Sequence, residues 1–224
     1  MTIRKTIDTV LFDFDGTLVF HEPDSSDILS SYCSEIGQPL SADREWKLRR
    51  TRHEYFVDPL IRSELASFGP EGFWMHFNRH LLASIGIDGD LDALASEVTS
   101  RTGSVDFHYD CPADGTDTLR ELRRRGYGLG LITNRSNAER FYELLDELEL
   151  RTHFDLVLAS GEVGIHKPEP GIFYVALERM GAKSQRSIYV GDNYWADVVG
   201  AERAGLTPVL YDPRRLFPEA DCAI

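Results

Sequence analysis

Apolar residues fall along this chain in two different rhythms. The second half carries short apolar runs of strand length, each ending in polar or turn residues: YGLGLITN (127–134), FDLVLAS (154–160), SIYVGDN (187–193) and TPVLYD (207–212). A fifth, TVLFDFDGT (9–17), stands near the start. Helical patterns separate them. ADGTDTLRELRRRG places Leu119 and Leu122 on one face and stops at Gly126, and PEPGIFYVALERMG and YWADVVGAERAG follow the same plan. Short β-rich runs joined by helices predict a parallel sheet covered on both faces. In such sheets a ligand binds beyond the carboxyl ends of the strands, at a switch in strand order.

Between the first run and the second the rhythm changes. SSDILSSYCSEIG, ADREWKLRRTRHEYF, GPEGFWMHFNRHLLASIG and DLDALASEVTSR are helical, and no strand-like alternation interrupts them. A crossover needs only about a dozen residues, so residues 21–105 predict an inserted helical domain. The core is then 1–20 with 106–224, and the linkers lie near 20 and at 106–112.

Composition narrows the classes. The chain has 224 residues, 42% of them hydrophobic, which is ample for a packed core. Its formal net charge of -13 argues against nucleic acid as a partner, because affinity for a phosphate backbone rests on clustered Lys and Arg. Cys33, Cys111 and Cys222 form no C-x-x-C pair, so neither a zinc site nor a disulfide framework is indicated. MTIRKTIDTV has no apolar h-region and no stretch reaches the length of a membrane span. The expectation is a reduced, soluble, cytoplasmic protein with no membrane partner, either monomer or homodimer.

The first strand raises the chemical question, because Asp13 and Asp15 interrupt an apolar run. Burying an unpaired carboxylate costs several kcal/mol. Residues i and i+2 of a strand point the same way, about 7 Å apart, so both acids can face one small volume at the strand end. Clustered carboxylates repel unless a cation or a proton intervenes. Oxygen-only ligation suits Mg²⁺, which leaves room for a phosphate oxygen. The other strand ends supply Thr133 and Asn134, then Asp192 with Asp197 in GDNYWAD, while GIHKPEPG carries Lys167. Together they describe a site for an anion bridged to a cation, and phosphate is the leading candidate.

With these motifs in order (DFDGT at 13–17, ITN at 132–134, Lys167 in HKPEP, GDNYWAD at 191–197) the whole chain resembles the haloacid dehalogenase-type phosphohydrolase superfamily. The resemblance implies an α/β fold with a Rossmann-like parallel sheet and an inserted α-helical cap. It implies a Mg²⁺-dependent phosphatase of a small phosphorylated metabolite. Asp13 would be the nucleophile, forming an aspartyl-phosphate. Asp15 would protonate the leaving oxygen and then take a proton from water. Thr133 would bind a phosphoryl oxygen beside Asn134, and Lys167 would balance charge on Asp13 and the phosphate. Mg²⁺ would be held by Asp13, the Asp15 carbonyl and Asp192, with Asp197 as a ligand or an outer acceptor. Dehalogenase-type members lack an acid at the position of Asp15, because a departing halide needs no proton. Phosphomutases of the superfamily carry this acid and remain the alternative, with a non-catalytic phospho-ligand binding module behind them. A response-regulator receiver shares the inventory, but its extra metal acids precede the nucleophile and it has no large helical insertion.

Other residues are read structurally. His166 is assigned to shaping its loop, and His21 is equally a linker histidine or a substrate contact. Phe73, Trp74 and Phe77 stand at helical spacing and are assigned to packing within the insertion. Arg49, Arg50, Arg52 and His53 are read as a solvated helix face.

Overall fold

The computed structural model describes residues 7–55 and 70–224. The N-terminal MTIRKT and the predicted helix ends at Phe56 and Gly69 lie outside the described residues. The chain divides into two compact units, one formed by residues 1–20 and 110–224 and the other by 21–109.

The first unit is built on β1 (Thr9–Phe12), followed in the chain by the short strands β2 (Phe20–Glu22) and β3 (His108–Asp110). Then come β4 (Gly128–Thr133), β5 (Leu156–Ala159), β6 (Ser187–Gly191) and β7 (Thr207–Leu210). Five of these form one sheet in the order β5-β4-β1-β6-β7, while β2 and β3 pair separately. Every pairing in the large sheet is parallel, with Phe12 opposite Leu131 on one side and Val190 on the other. All five strands lie within the five runs read from the sequence. The β2–β3 ribbon departs from that reading, because three-residue strands are too short to show alternation.

β1 is central, and all four of its residues are buried. That is why it reads as continuous apolar text rather than alternating text. One face of the sheet packs Leu11, Ile132, Leu158 and Tyr189 against Ile172, Phe173 and Ala176 of the helix Pro170–Met180. The chain leaves β1 toward β4 and β5, then crosses to β6 and β7. Strand order therefore reverses at β1, and sheets of this kind bind their ligands beyond the carboxyl ends of the strands at such a switch point.

The second unit is helical apart from its share of the ribbon. Leu29, Tyr32, Cys33, Leu48, Phe77, Leu81, Leu82, Ala95 and Val98 form its core. They come from the helices Ser25–Glu35, Ala42–Glu54, Pro70–Ser84 and Leu91–Gly103. Asp24, Ser41 and Asp90 cap three of these by accepting backbone N–H groups. Phe77 is buried as read, but Trp74 is half exposed. The arginine patch is largely neutralised: Arg49 pairs with Asp24 and Asp27, and Arg50 with Glu54.

Candidate active site

Asp13 is the first residue beyond β1, and its N–H still continues the ladder to the Val190 carbonyl at 2.8 Å. The chain then turns sharply. The Val19 and Leu18 N–H groups return to the Phe14 carbonyl at 2.9 and 3.1 Å, and the Gly16 N–H donates to the Val19 carbonyl. Gly16 adopts φ +79°, and a Cβ there would fall 2.4 Å from Asp192 Oδ2. Glycine is thus required both by the turn and by the close approach of the β6 end. The neighbouring Thr17 hydroxyl oxygen is buried without a hydrogen-bond partner.

At the centre stands Lys167. Its ammonium donates to Asp13 Oδ1 and Asp197 Oδ1, both at 2.6 Å, and to the Tyr189 hydroxyl at 3.0 Å. All three donor sites of the ammonium are thereby matched. The Tyr189 hydroxyl donates in turn to the Ile132 carbonyl at 3.2 Å. The Lys167 backbone is braced by Asn134, whose amide donates to the Lys167 carbonyl at 2.9 Å and accepts its N–H at 2.8 Å. The sequence assigns Asn134 to substrate; in the structure its amide secures the lysine loop. Thr133, at the end of β4, is buried. His166 is exposed, and its carbonyl accepts the Glu169 N–H.

Asp197 reaches the site through a local irregularity. The helix read over 194–205 is a π-helical turn at Tyr194–Val199 followed by a short α-helix at Gly200–Arg203. Such wide turns concentrate at functional sites. Asp197 folds against Gly191, where a Cβ would lie 2.3 Å from its carboxyl carbon. Its second oxygen accepts the Asn193 N–H at 2.9 Å. Both Asp197 oxygens are therefore engaged by the chain itself.

Carboxylate oxygens of Asp13, Asp192 and Asp197 approach within 4.8 Å of one another. Three acids against one lysine leave an excess of negative charge. Burial, then the nearby Asp197 and Asp15 charges, push Asp13 up to about 7 despite the opposing Lys167. Burial and the charges of Asp13 and Asp197 raise Asp192 well above the carboxylate range. Burial alone would lower Lys167, but Asp13, Asp197 and Tyr189 more than offset it and hold it charged. An all-oxygen, electron-rich cluster of this kind fits a hard divalent cation such as Mg²⁺. Asp13 and Asp192 are the acids best placed to take it, since Asp197 is already spent on Lys167 and Asn193.

Asp15 points elsewhere. Arg135 grips its carboxylate with both arms of the fork, Nε to Oδ2 at 2.9 Å and Nη2 to Oδ1 at 2.6 Å. The sequence reading passed over Arg135. Its position directly after ITN, two residues past the end of β4, was the available signal.

His21 belongs to the helical unit, where Nδ1 lies 3.0 Å from the Pro23 carbonyl and the ring meets Phe107 and Tyr109 edge-on. Those contacts give it a place in the ribbon. Among the described residues, no helix is long and apolar enough to cross a membrane.

Comparison with known proteins agrees with this arrangement. A family model for haloacid dehalogenase-like hydrolases matches residues 7–205. A glyceraldehyde 3-phosphate phosphatase of Methanopyrus kandleri is 32% identical over 203 residues, covering 91% of this chain and 83% of that one. The crystal structure of a HAD phosphatase from Thermococcus onnurineus superposes with a TM-score of 0.55 at 26% identity, covering 97% and 93% of the two chains. A 2-haloacid dehalogenase from Pseudomonas syringae superposes with a TM-score of 0.54, also at 26% identity, covering 98% and 94%. The span matched by the family model takes in most of the chain, the four motifs included, and the chain belongs to the haloacid dehalogenase-like hydrolase family.

Proposed function

We propose that this hydrolase is a Mg²⁺-dependent phosphatase of small phosphomonoesters, acting through an aspartyl-phosphate on Asp13. The observation that carries the reading is the Asp13–Lys167–Asp197 chain, with 2.6 Å contacts on both sides of a buried ammonium. Lys167 fixes Asp13 Oδ1, which leaves Oδ2 as the oxygen that attacks phosphorus. The new O–P bond forms as the ester oxygen departs, and that oxygen takes a proton from Asp15. In the second step Asp15 accepts a proton from water, whose oxygen attacks phosphorus and releases Asp13 and inorganic phosphate. Thr133 holds a phosphoryl oxygen and the charge of Lys167 balances Asp13 and the phosphate, and phosphoryl transfer needs such positioning and charge matching more than elaborate covalent chemistry.

Asp13, the Asp15 carbonyl and Asp192 would hold Mg²⁺, and Asp197 supports the group from behind through Lys167 and the Asn193 N–H. When bound, the cation neutralises the excess charge of the acids and of the phosphate.

The relatives support the substrate class. One is named for glyceraldehyde 3-phosphate, and we take a small phosphorylated metabolite in the cytoplasm as the substrate here. The helical domain over residues 21–105 acts in this reading as a cap that selects the leaving group and excludes water during turnover.

The test is phosphate release from a panel of sugar phosphates, phosphoglycolate and nucleoside monophosphates, with and without Mg²⁺, by wild type and Asp13→Asn. Mg²⁺-dependent release that vanishes in the variant is expected. A folded wild type that binds Mg²⁺ and releases no phosphate would overturn the phosphatase reading in favour of a mutase.

A further inference from the structure

The Arg135–Asp15 fork has no part in the chemistry described so far, yet it holds the group that must move protons. Several independent contacts fix it. The Arg135 guanidinium lies 5.2 Å over the ring of Phe14, the residue between the two catalytic acids. Phe14 is fully buried and meets Phe141 edge-on at 5.0 Å. The Arg135 carbonyl accepts the Gly161 N–H at 3.2 Å and the Ser160 hydroxyl at 3.3 Å. Gly161 itself is irreplaceable there, since a Cβ would lie 1.8 Å from the Ser136 carbonyl oxygen. The end of β5 thus pins the backbone of Arg135, the Phe14 ring levels its guanidinium, and the guanidinium sets the plane of the Asp15 carboxylate.

We infer that Arg135 is the positioning residue for Asp15, presenting one carboxyl oxygen to the leaving group while keeping the other. A planar fork suits this role because its two N–H groups are separable. With both contacts made, Asp15 is oriented as the anion that takes a proton from water. With the Nη2 contact released, Oδ1 is free to carry the proton that the leaving oxygen receives, and the Nε contact still holds Oδ2. The proton shuttle then turns about one retained hydrogen bond. A lysine, a point charge without the fork, would keep the attraction and lose the plane.

The inference rests on the reading of Asp15 as acid and base, and its test separates the two. Arg135→Met and Arg135→Lys would be assayed on an alkyl phosphate, whose leaving oxygen needs a proton, and on 4-nitrophenyl phosphate, whose leaving oxygen does not. Arg135→Met should lose on the order of 100-fold in kcat/KM on the alkyl ester, the scale of general acid catalysis, and under about 3-fold on the aryl ester. Arg135→Lys should recover part of the alkyl loss. In an Asp15→Asn background, Arg135→Met should cost under about 2-fold more, because the group it positions is already gone. Equal losses on both esters, or the same loss with and without Asp15, would show that Arg135 acts on the phosphate or the fold and would overturn the inference alone. Should Arg135→Met fail to fold, the alkyl-to-aryl ratio of Arg135→Lys decides: a ratio equal to wild type overturns the inference. A wild type inactive on every ester overturns the phosphatase reading and this inference with it.

Discussion

Replacing Asp13 by Asn should abolish turnover and at the same time stabilise the metal-free protein, and the size of that gain can be worked out. Asp13 is buried among acids, which lifts it from 3.8 to about 7. A raised carboxylate pKa means that ionisation is harder in the fold than in the unfolded chain. The fold's stability is then complete below about pH 4 and declines as pH rises through about 7. That rise in the Asp13 pKa corresponds to about 4 kcal/mol by about pH 8, and to about 2 kcal/mol at about pH 5. Lys167 does not alter this window. Its pKa is raised above the ordinary lysine value, so its contribution is constant until far more alkaline conditions.

Asn keeps an acceptor oxygen for Lys167 but carries no charge to desolvate. Thermal unfolding in EDTA should therefore place Asp13→Asn about 10 °C above wild type near pH 8, with the gap narrowing toward pH 5. Saturating Mg²⁺ should raise wild type far more than the variant, since about 2.7 kcal/mol accrues at a hundredfold excess over Kd. A variant less stable than wild type near pH 8 would refute the reasoning. The Lys167 ion pair, rather than burial and neighbouring acids, would then govern Asp13.

Three further substitutions probe the surrounding frame. Tyr189→Phe removes an acceptor from the buried Lys167 ammonium and the hydroxyl bond to the Ile132 carbonyl, so urea unfolding should show a loss of about 1–3 kcal/mol; no measurable change would refute that hydrogen-bond path. Gly16→Ala drives a Cβ into Asp192, so calorimetric Mg²⁺ affinity should fall at least about 10-fold, and unchanged affinity would remove Asp192 from the cation site. Asn134→Leu frees the Lys167 loop, so kcat should fall on the order of 10-fold with KM nearly constant. A raised KM at constant kcat would return Asn134 to the substrate-contact role its sequence position implies.

These residues also show what the text of the chain makes legible. The strands were readable because a strand buried on both faces is written as an unbroken apolar run, as in Leu129–Leu131–Ile132. Asp13, Thr133 and Asp192 were readable because they stand at or just past the ends of such runs, and Lys167 was marked instead by its place beside Pro168 ahead of a helix. The division of labour among them was not. That Asn134 braces Lys167, or that Asp197 gives one oxygen to Lys167, depends on contacts between residues 33 and 30 positions apart. The π-turn at Tyr194–Val199 escaped notice because its composition is that of any amphipathic helix. The β2–β3 ribbon was too brief to leave a period.

The same sheet supports a 2-haloacid dehalogenase and a phosphatase, so the fold alone does not select between them. The selection rests on which groups can meet the leaving atom. A halide departs as a stable anion, whereas an alkoxide departing from phosphorus must be protonated as it leaves. Asp15 is the one side chain on the β1 turn suited to that task, and by itself it would be loosely placed, with 41% of its side chain exposed. A half-exposed ion pair contributes about 0–1 kcal/mol to stability, so the Arg135 fork adds little to the fold. What it provides is orientation. A proton donor misplaced by about 1 Å forfeits much of its catalytic effect, and Arg135 is itself held by Phe14 and by the Gly161 turn. On this argument the step from a halide-releasing to an ester-cleaving site takes two residues: the acid that carries the proton, and the arginine that aims it.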